Sequence, residues 1–491
     1  MSVATAAPIA AMVGNAPIAI GFGNGIHAPA GFLAATIVLA LFALGYSSMA
    51  RHITATGAFY GFVSHGLGRV VGMGAGALTT LAYVVFEASL AGMFGFFAAQ
   101  FAEARLGLDA SWIWFSAAML LANAVLTYFD VTLTAKVLGV FLVTEVAMLL
   151  AVAITVVTGG GGPEGWSLES LNPLGAFTDL SGTVPDPAGN GEVIAVAGSA
   201  GIGLFFAFWS WVGFESAAMY GEESKDPKRI IPRATMAGVL GIGAFYVFVS
   251  WAGLVGTGPE RSIALAQDTA SAGEIFFGLA EQNLGSWAVV LFEALLVTGA
   301  FACGMAFHNC ASRYIYAIGR EDLIPGMRDT VGRCHSKHAS PHIASFVQSV
   351  IASVIVLFFF ATERDPYGQL FALMAILGTT AILVVQTLAA IACVAYFHIH
   401  HRHPETAHWF RTGVAPALGA LGMAYVIWLL IQNASFAAGA AASDPVFKIA
   451  PWIVGAVGIG GVAFALVTRA IAPERYDVIG RIVLDDSHER A

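Results

Sequence analysis

The chain has 491 residues, 58% of them hydrophobic and only 11% charged, with 56 glycines and a mean hydropathy of +0.77. A soluble domain carries about 25% charged and about 45–50% apolar residues; this much core cannot be wrapped in water, which excludes a soluble enzyme, a nucleic-acid binder and a disordered scaffold. The 22 Lys+Arg against 31 Asp+Glu, net −9, argue against an anionic polymer as partner, and four cysteines are too few for a disulfide framework.

A span needs about 20 predominantly apolar residues to cross about 30 Å of hydrocarbon. Twelve such runs are predicted, at 4–24, 31–50, 72–101, 111–128, 135–158, 194–219, 234–256, 286–311, 343–361, 368–396, 412–432 and 449–470. Between the second and third, the stretch from Thr54 to Val63 is too short to span and predicts a re-entrant or interfacial helix. Residues 159–192, rich in Gly, Pro and Asp, predict an outer loop in which Gly159 to Gly162 is a flexible connector. No cleavable signal peptide is expected, because no basic stretch precedes the first apolar run. With the N-terminus in the cytoplasm, only Arg105, Arg261, Arg364 and Lys448 fall outside; the other eighteen of the 22 basic residues fall inside, as the positive-inside rule requires. An even span count returns the C-terminus to the cytoplasm.

Irregular backbone at membrane depth is tolerated only where it lines a cavity, so Pro/Gly-interrupted spans in corresponding halves point to a transporter's binding site. The first span carries Pro8, Gly14, Asn15 and Pro17; the sixth carries Phe208-Trp209-Ser210-Trp211-Val212-Gly213-Phe214-Glu215. They lie five helices apart, which fits two five-helix inverted repeats followed by two extra helices. Four acids sit well inside apolar runs: Glu87, Glu145, Glu215 and Glu293. Each costs about 2.5–3.5 kcal/mol or more at the bilayer centre. No Lys or Arg is comparably deep, so the acids imply a water-filled cavity, protonated carboxyls or a cationic ligand; Glu145 and Glu293 have the alternative of lying nearer an interface.

The sixth span and its following loop, Trp209-Ser210-Trp211-Val212-Gly213-Phe214-Glu215-Ser216, then Glu222-Glu223-Ser224-Lys225-Asp226-Pro227-Lys228-Arg229 and Ile231-Pro232-Arg233-Ala234, resemble the amino acid–polyamine–organocation permease family. Gly57-Ala58-Phe59-Tyr60 leading to Gly66-Leu67-Gly68 is similar to the same family, as is Phe307-His308-Asn309 with Arg313-Tyr314, Gly319-Arg320 and Ser340-Pro341-His342. The resemblance covers essentially the whole chain. It implies an all-α polytopic membrane protein with about twelve transmembrane helices, two inverted five-helix repeats (4–158 and 194–396), interrupted helices one and six, two further helices (412–470), a cytoplasmic tail (471–491), and secondary transport by alternating access. By position, Trp209 and Ser210 look like the helix-six pair that lines the pocket of the family's arginine/agmatine antiporters. Glu215 matches the family's helix-six glutamate of pH sensing or proton coupling, and Glu87 falls where the antiporters place a polar pocket residue on helix three.

The chain also departs from the family. Helix one reads Ala10-Ala11-Met12-Val13-Gly14-Asn15 where relatives that hold an amino-acid carboxylate carry Gly-Ser-Gly or Gly-Ala-Gly. On helix eight Thr298-Gly299 replaces the paired hydroxyls of sodium-coupled relatives, which favours protons, or no ion, over Na⁺. Glu145 stands where amino-acid antiporters often place a lysine.

Other patterns carry less. Gly21-Phe22-Gly23-Asn24-Gly25 and Gly72-Met73-Gly74-Ala75-Gly76 lack the strand and Lys-Ser/Thr of a phosphate loop. The histidines at 398, 400, 401 and 403, and at 335, 338 and 342, could bind a transition metal by spacing, but read as solvated loop residues. His308 is expected at the inner end of helix eight, pairing with Asn309.

The expected function is a secondary transporter of amino acids, polyamines or related organic cations, proton-coupled or exchanging, in the plasma membrane. Its partners are a small-molecule substrate, a proton and the bilayer; no nucleic acid, enzyme activity, cofactor or metal is expected. Expected substrate-binding residues are Ala10, Met12, Gly14, Tyr83, Glu87, Phe208, Trp209, Ser210 and Gly213, with Glu215 for proton coupling and Glu145 and Thr298 as ion or supporting positions. The alternatives are a neutral amino-acid permease and, in a different class, a channel or transport-derived receptor.

Overall fold

The computed structural model describes residues 8–54, 57–129, 131–187, 191–224, 226–268, 271–338, 340–432 and 444–481, without the side chains of 131–138, 222 and 223. The first residues of the predicted first span, Ala55 and Thr56 of the predicted re-entrant stretch, Lys225 of the family-like loop and residues 482–491 of the predicted tail lie outside them. Hydrocarbon offers no partner for a free N–H or C=O, so a chain this apolar satisfies its backbone inside helices. The helices are α1 (Ala10–Phe22), α2 (Gly25–Met49), α3 (Ala58–Leu67), α4 (Arg69–Leu106), α5 (Trp112–Tyr128), α6 (Val131–Thr158), α7 (Ala200–Trp209), α8 (Phe214–Glu223), α9 (Pro227–Thr257), α10 (Pro259–Ala266), α11 (Glu274–Leu284), α12 (Ser286–Arg320), α13 (His342–Ala361), α14 (Pro366–Ile399), α15 (Trp409–Gln432), α16 (Pro445–Ile471) and α17 (Pro473–Tyr476). Among the described residues ten segments are long and apolar enough to cross a membrane, one of them α7 with most of α8; α1 and α5 are shorter apolar helices. The protein is a polytopic helical membrane protein.

Several boundaries differ from the sequence expectation. The sixth span begins at Ala200 rather than 194, because Val193–Ala197 pairs as a strand (β2) antiparallel to β1, Ser181–Pro185, with Ser181 opposite Ala197. An apolar five-residue run is ambiguous between strand and span edge, and here the hairpin wins. Ser199 then caps α7, its Oγ accepting from Gly201 N at 3.2 Å. Helix α9 starts seven residues early, since Pro227 at its first turn needs no N–H partner and Pro232 is tolerated soon after. Helices α10 and α11 fill the connection after α9. At 38 residues α4 is about 57 Å long at 1.5 Å per residue, well beyond the hydrocarbon thickness, so it tilts or protrudes. As expected, α3 is too short to span, and eight of its residues are buried.

Contacts sort the connections into two ends. At one, His52 meets Thr406 and His403, Tyr60 meets Glu321, and Tyr128 meets His335. At the other, Asn24 reaches Ala176, Trp251 reaches Ser167, and Arg105 and Arg364 pair with Glu293 and Asp444. We call the first the basic end, after the loops that crowd it. The last described residues strap it: Ile479 is fully buried, Gly480 N donates to Glu321 Oε1 (2.8 Å) and Tyr60 Oη (3.0 Å), and Arg69 pairs with Asp477 (2.8 Å).

Candidate functional site

Two helices whose regular α-helical course is interrupted, one by a π-turn and one by a break, meet at the centre of the bundle. Helix α1 is widened into a π-helix over Ala10–Asn15, with Ala16 N bonding Ala11 O, so within the described residues it is distorted rather than broken. Helix α7 stops at Trp209, the chain turns through Gly213 at φ +116°, and α8 continues as a 3₁₀ helix. That backbone conformation favours glycine because a Cβ would clash, and it gives the Gly-Phe-Glu pattern a physical reason. Facing the break, Asn15 Nδ2 donates to Ser210 Oγ (3.1 Å), and Ser210 Oγ donates to Phe206 O (2.8 Å).

Between these elements lies a cavity of about 20 Å³ lined by Ala10, Ala11, Asn15, Trp209, Ser210 and Val212 from the two interrupted helices, and by Leu90, Cys303, Phe307 and Phe371 around them. Of the expected substrate residues, Ala10, Trp209 and Ser210 are brought together here. Met12, Gly14, Tyr83, Glu87, Phe208 and Gly213 do not line it. Gly14 faces Met93 and Tyr367 instead, and Thr298 Oγ1 donates back to Leu295 O of its own helix (3.3 Å). Asn15 was missed as a site residue, although a polar side chain in an apolar run was signal enough; its Oδ1 is buried with no partner among the described residues.

The cavity is closed unequally toward the two ends. Away from the basic end, the stacked rings of Tyr367 and Phe371 (5.3 Å, 6°) separate it from a vestibule of about 650 Å³ lined in part by Gln100, Glu103, Glu274 and Glu293. Phe96 stacks on Tyr367 from that side (5.2 Å), and Phe371 meets Trp209 (6.3 Å) below. Glu293 pairs with Arg105 through two bonds of 2.8 and 2.9 Å, so it lies at the vestibule rather than unpaired at the bilayer centre. Toward the basic end the closure is thicker: Tyr83 stacks on Tyr314 (5.6 Å), Tyr314 Oη accepts from Phe59 N (3.2 Å), and Tyr46 packs on Phe59 and Phe62.

The buried acids occupy three different settings. Glu215 accepts from Tyr83 Oη (2.8 Å) and Gly213 N (3.0 Å), while Tyr46 Oη donates to its backbone carbonyl (2.9 Å), which binds the helix break to the thick closure. Glu145 accepts from Ile9 N at 3.4 Å, and a Cβ on Gly299 would lie 2.7 Å from its Oε1. The glycine of Thr298-Gly299 thus makes room for this carboxylate beside α1. Glu87 points away from the cavity and does have a base: His308 Nδ1 lies 2.9 Å from both its oxygens, with Gln348 Nε2 (2.7 Å) and Asn123 Nδ2 (3.1 Å) donating too. His308 therefore sits in mid-helix opposite Glu87, not at the inner end, and Asn309 bonds Met305 O rather than His308. Outside the spans, burial pushes the Glu321 carboxyl up to about 8, against the opposing pull of Tyr60, Gly480 N and Arg320. Among the described residues no cluster of histidine, cysteine or acidic side chains is arranged to hold a metal.

The amino acid permease family profile matches residues 2–478. The chain belongs to that family. It is similar to the low-affinity putrescine importer PlaP of Escherichia coli (strain K12), 25% identical over 420 residues that cover 84% of this chain and 83% of the relative. It is also similar to the branched-chain amino acid permease BcaP of Lactococcus lactis subsp. cremoris (strain MG1363), 23% identical over 430 residues and 83% of each chain. The BcaP of Bacillus subtilis (strain 168) matches at 21% over 247 residues, half of this chain and 46% of its own. The protein is an integral membrane transporter of the amino acid–polyamine–organocation group, not an enzyme.

Proposed function

We propose that the chain is a secondary active transporter of amine-bearing organic cations, diamines foremost, driven by protons or by exchange. The observation that carries this reading is the acid-lined vestibule leading to a cavity between two interrupted helices. Glu103, Glu274 and Glu293, set against Arg105 among the described residues, give that entrance a negative field, which concentrates cations. The cavity offers an ammonium group the face of Trp209, worth about 1–2 kcal/mol when desolvated, and the unfilled acceptor of Asn15. Similarity to a putrescine importer points the same way.

In this reading the twelve helical segments form two inverted five-helix repeats, 4–158 and 194–396, with 412–470 added and the basic end and both termini in the cytoplasm. The conformation is then occluded with its thin side outward. A cavity of about 20 Å³ has room for little more than a water molecule, so Tyr367 and Phe371 swing aside to admit substrate. Inward release requires the Tyr83–Tyr314 stack to part, and Glu215, bonded to Tyr83 and to the break at Gly213, reports its proton state to that closure. Glu145, beside Ile9 and Gly299, is a second coupling position: a proton or the substrate's own charge neutralises it.

A second reading, favoured by similarity to the BcaP permeases, is uptake of neutral amino acids. Proteoliposome uptake of labelled putrescine, arginine and leucine, with and without a pH gradient, separates the two. Putrescine uptake that saturates and rises with the gradient is expected. Uptake restricted to leucine, or dependent on Na⁺ and blind to pH, contradicts the proposal.

A further inference from the structure

A second polar system lies behind the cavity wall, and none of its residues lines the cavity. Glu87, Asn123, His308 and Gln348 are fully buried, and Ser345 and Thr127 nearly so. Their side chains form a continuous series: Glu87 carboxylate to His308 Nδ1 (2.9 Å), His308 Nε2 to Ser345 Oγ (2.7 Å), and Ser345 Oγ to Thr127 Oγ1 (2.9 Å). Thr127 is in the last turn of α5 and Ser345 in the first turn of α13, so the series ends at the basic end of the bundle. Tyr128 follows at once, its Oη 3.0 Å from His335 Nε2, and the rings of His335, His338 and His342 gather there at 4.9 and 5.2 Å. Glu87 itself lies about 27 Å along α4 from its start at Arg69, at 1.5 Å per residue.

The two hydroxyls and the imidazole of this series can each donate and accept a hydrogen bond, and the carboxylate accepts. We propose that Glu87 and His308 form a proton-binding site, distinct from Glu215 and Glu145, loaded from the basic end through Thr127 and Ser345. A proton entering at Thr127 passes one O–H proton to Ser345 and one from Ser345 to His308 Nε2; His308 releases the proton on Nδ1 to the Glu87 carboxylate. One proton leaves the solvent and one carboxyl gains it; the imidazole exchanges its Nδ1–H for an Nε2–H, and return of the carboxyl proton to Nδ1, with the Nε2 proton leaving through Ser345 and Thr127, restores the starting tautomer and the two hydroxyls. Asn123 and Gln348 hold the carboxylate in place from α5 and α13. The other titratable groups facing this region are Tyr83 one turn earlier on α4 with Glu215 behind it, Cys310 and Tyr314 on α12, and His342 one turn before Ser345 on α13.

The site reaches the cavity through its sequence neighbours. Phe86 packs on Trp209 at 4.6 Å and on Phe307 at 4.9 Å, and Phe307 lines the cavity. Protonation of Glu87 changes its bond to His308 and so the hold on the turns of α4 and α12 that carry these two rings, which is how the proton biases the cavity.

The coupling role rests on the transport reading above, whereas the proton site does not, so two measurements separate them. In the purified full-length protein, infrared difference spectra between acid and alkaline pH should contain a protonated-carboxyl C=O band that Glu87→Gln removes and His308→Gln shifts in pH. Ser345→Ala should slow hydrogen–deuterium exchange of that band at least tenfold, and Ser345→Thr should restore it. In proteoliposomes, the ratio of gradient-driven putrescine uptake to putrescine counterflow should fall at least tenfold in Glu87→Gln and His308→Gln. Absence of a Glu87-dependent band, or exchange indifferent to Ser345→Ala, overturns the site. An unchanged uptake-to-counterflow ratio overturns its coupling role. A band that behaves as expected in a protein that moves no putrescine supports the site and instead contradicts the transport reading.

Discussion

Glu87 and Glu145 are both buried glutamates on membrane helices, 0% and 2% exposed, and by composition they look alike. Their surroundings are opposite. Glu87 has donors from three other helices, α5, α12 and α13. Among the described residues Glu145 has one long hydrogen bond, from a backbone N–H at the start of α1, and a glycine where a side chain could have stood. A buried charge is tolerated when it is paired and hydrogen-bonded, and is costly otherwise. Glu87 is thus held by donors on three helices, the network proposed above as a proton path, while Glu145, among the described residues, is left short of partners beside the π-turn of α1.

That contrast can be broken or sharpened by substitution. The largest effect is expected from Glu87→Ala, which strands His308, Asn123 and Gln348 and should cost about 3–5 kcal/mol of stability; thermal unfolding in detergent reads it, and a loss below about 1 kcal/mol would mean the network is not what holds these helices. Next, Gly299→Ala places a methyl against Glu145 Oε1 and should cost about 1–3 kcal/mol by overpacking, partly recovered in the Gly299→Ala, Glu145→Ala double variant. Glu145→Gln should change stability by less than about 1 kcal/mol, since little bonding is lost, while altering how putrescine uptake depends on the pH gradient. Uptake with the wild-type dependence would remove Glu145 from the coupling scheme.

The smallest effect concerns a third buried acid, Glu321, which clasps the C-terminal strap at the basic end. Its carboxyl is raised to about 8 by burial, so the docked strap binds more protons than the released one. Docking is therefore fully stabilised below the ordinary carboxylate range and weakens as pH rises through about 8. Amide exchange of residues 476–480, corrected for intrinsic rates, should lose protection by roughly ten- to a hundredfold between about pH 6 and about pH 9, and Glu321→Gln should flatten that loss.

Much of the architecture was legible because lipid leaves few choices: runs of about twenty apolar residues become helices, and α5, α13 and α15 fall close to where hydropathy puts them. The break at Gly213 was legible through its neighbours Trp209, Ser210 and Glu215. What the sequence hid is long-range. Glu87 and His308 are 221 residues apart, and no local pattern joins them. The π-turn of α1 leaves no compositional mark, and Asn15, named within the interrupted first span but not among the substrate residues, joins the cavity through its bond to Ser210. The strand at Val193–Ala197 was absorbed into a neighbouring span because β-branched apolar residues serve both.

The central claim is that the cavity at Trp209, Ser210 and Asn15 takes an amine-bearing cation. Its most direct test is counterflow of labelled putrescine in proteoliposomes at equal pH, with competing diamines, arginine and leucine outside, in the wild type and in Asn15→Leu. The account predicts inhibition by diamines, little inhibition by leucine, and a fall of at least tenfold in apparent putrescine affinity in the variant. Inhibition by leucine but not by diamines, with Asn15→Leu indistinguishable from the wild type, would contradict it.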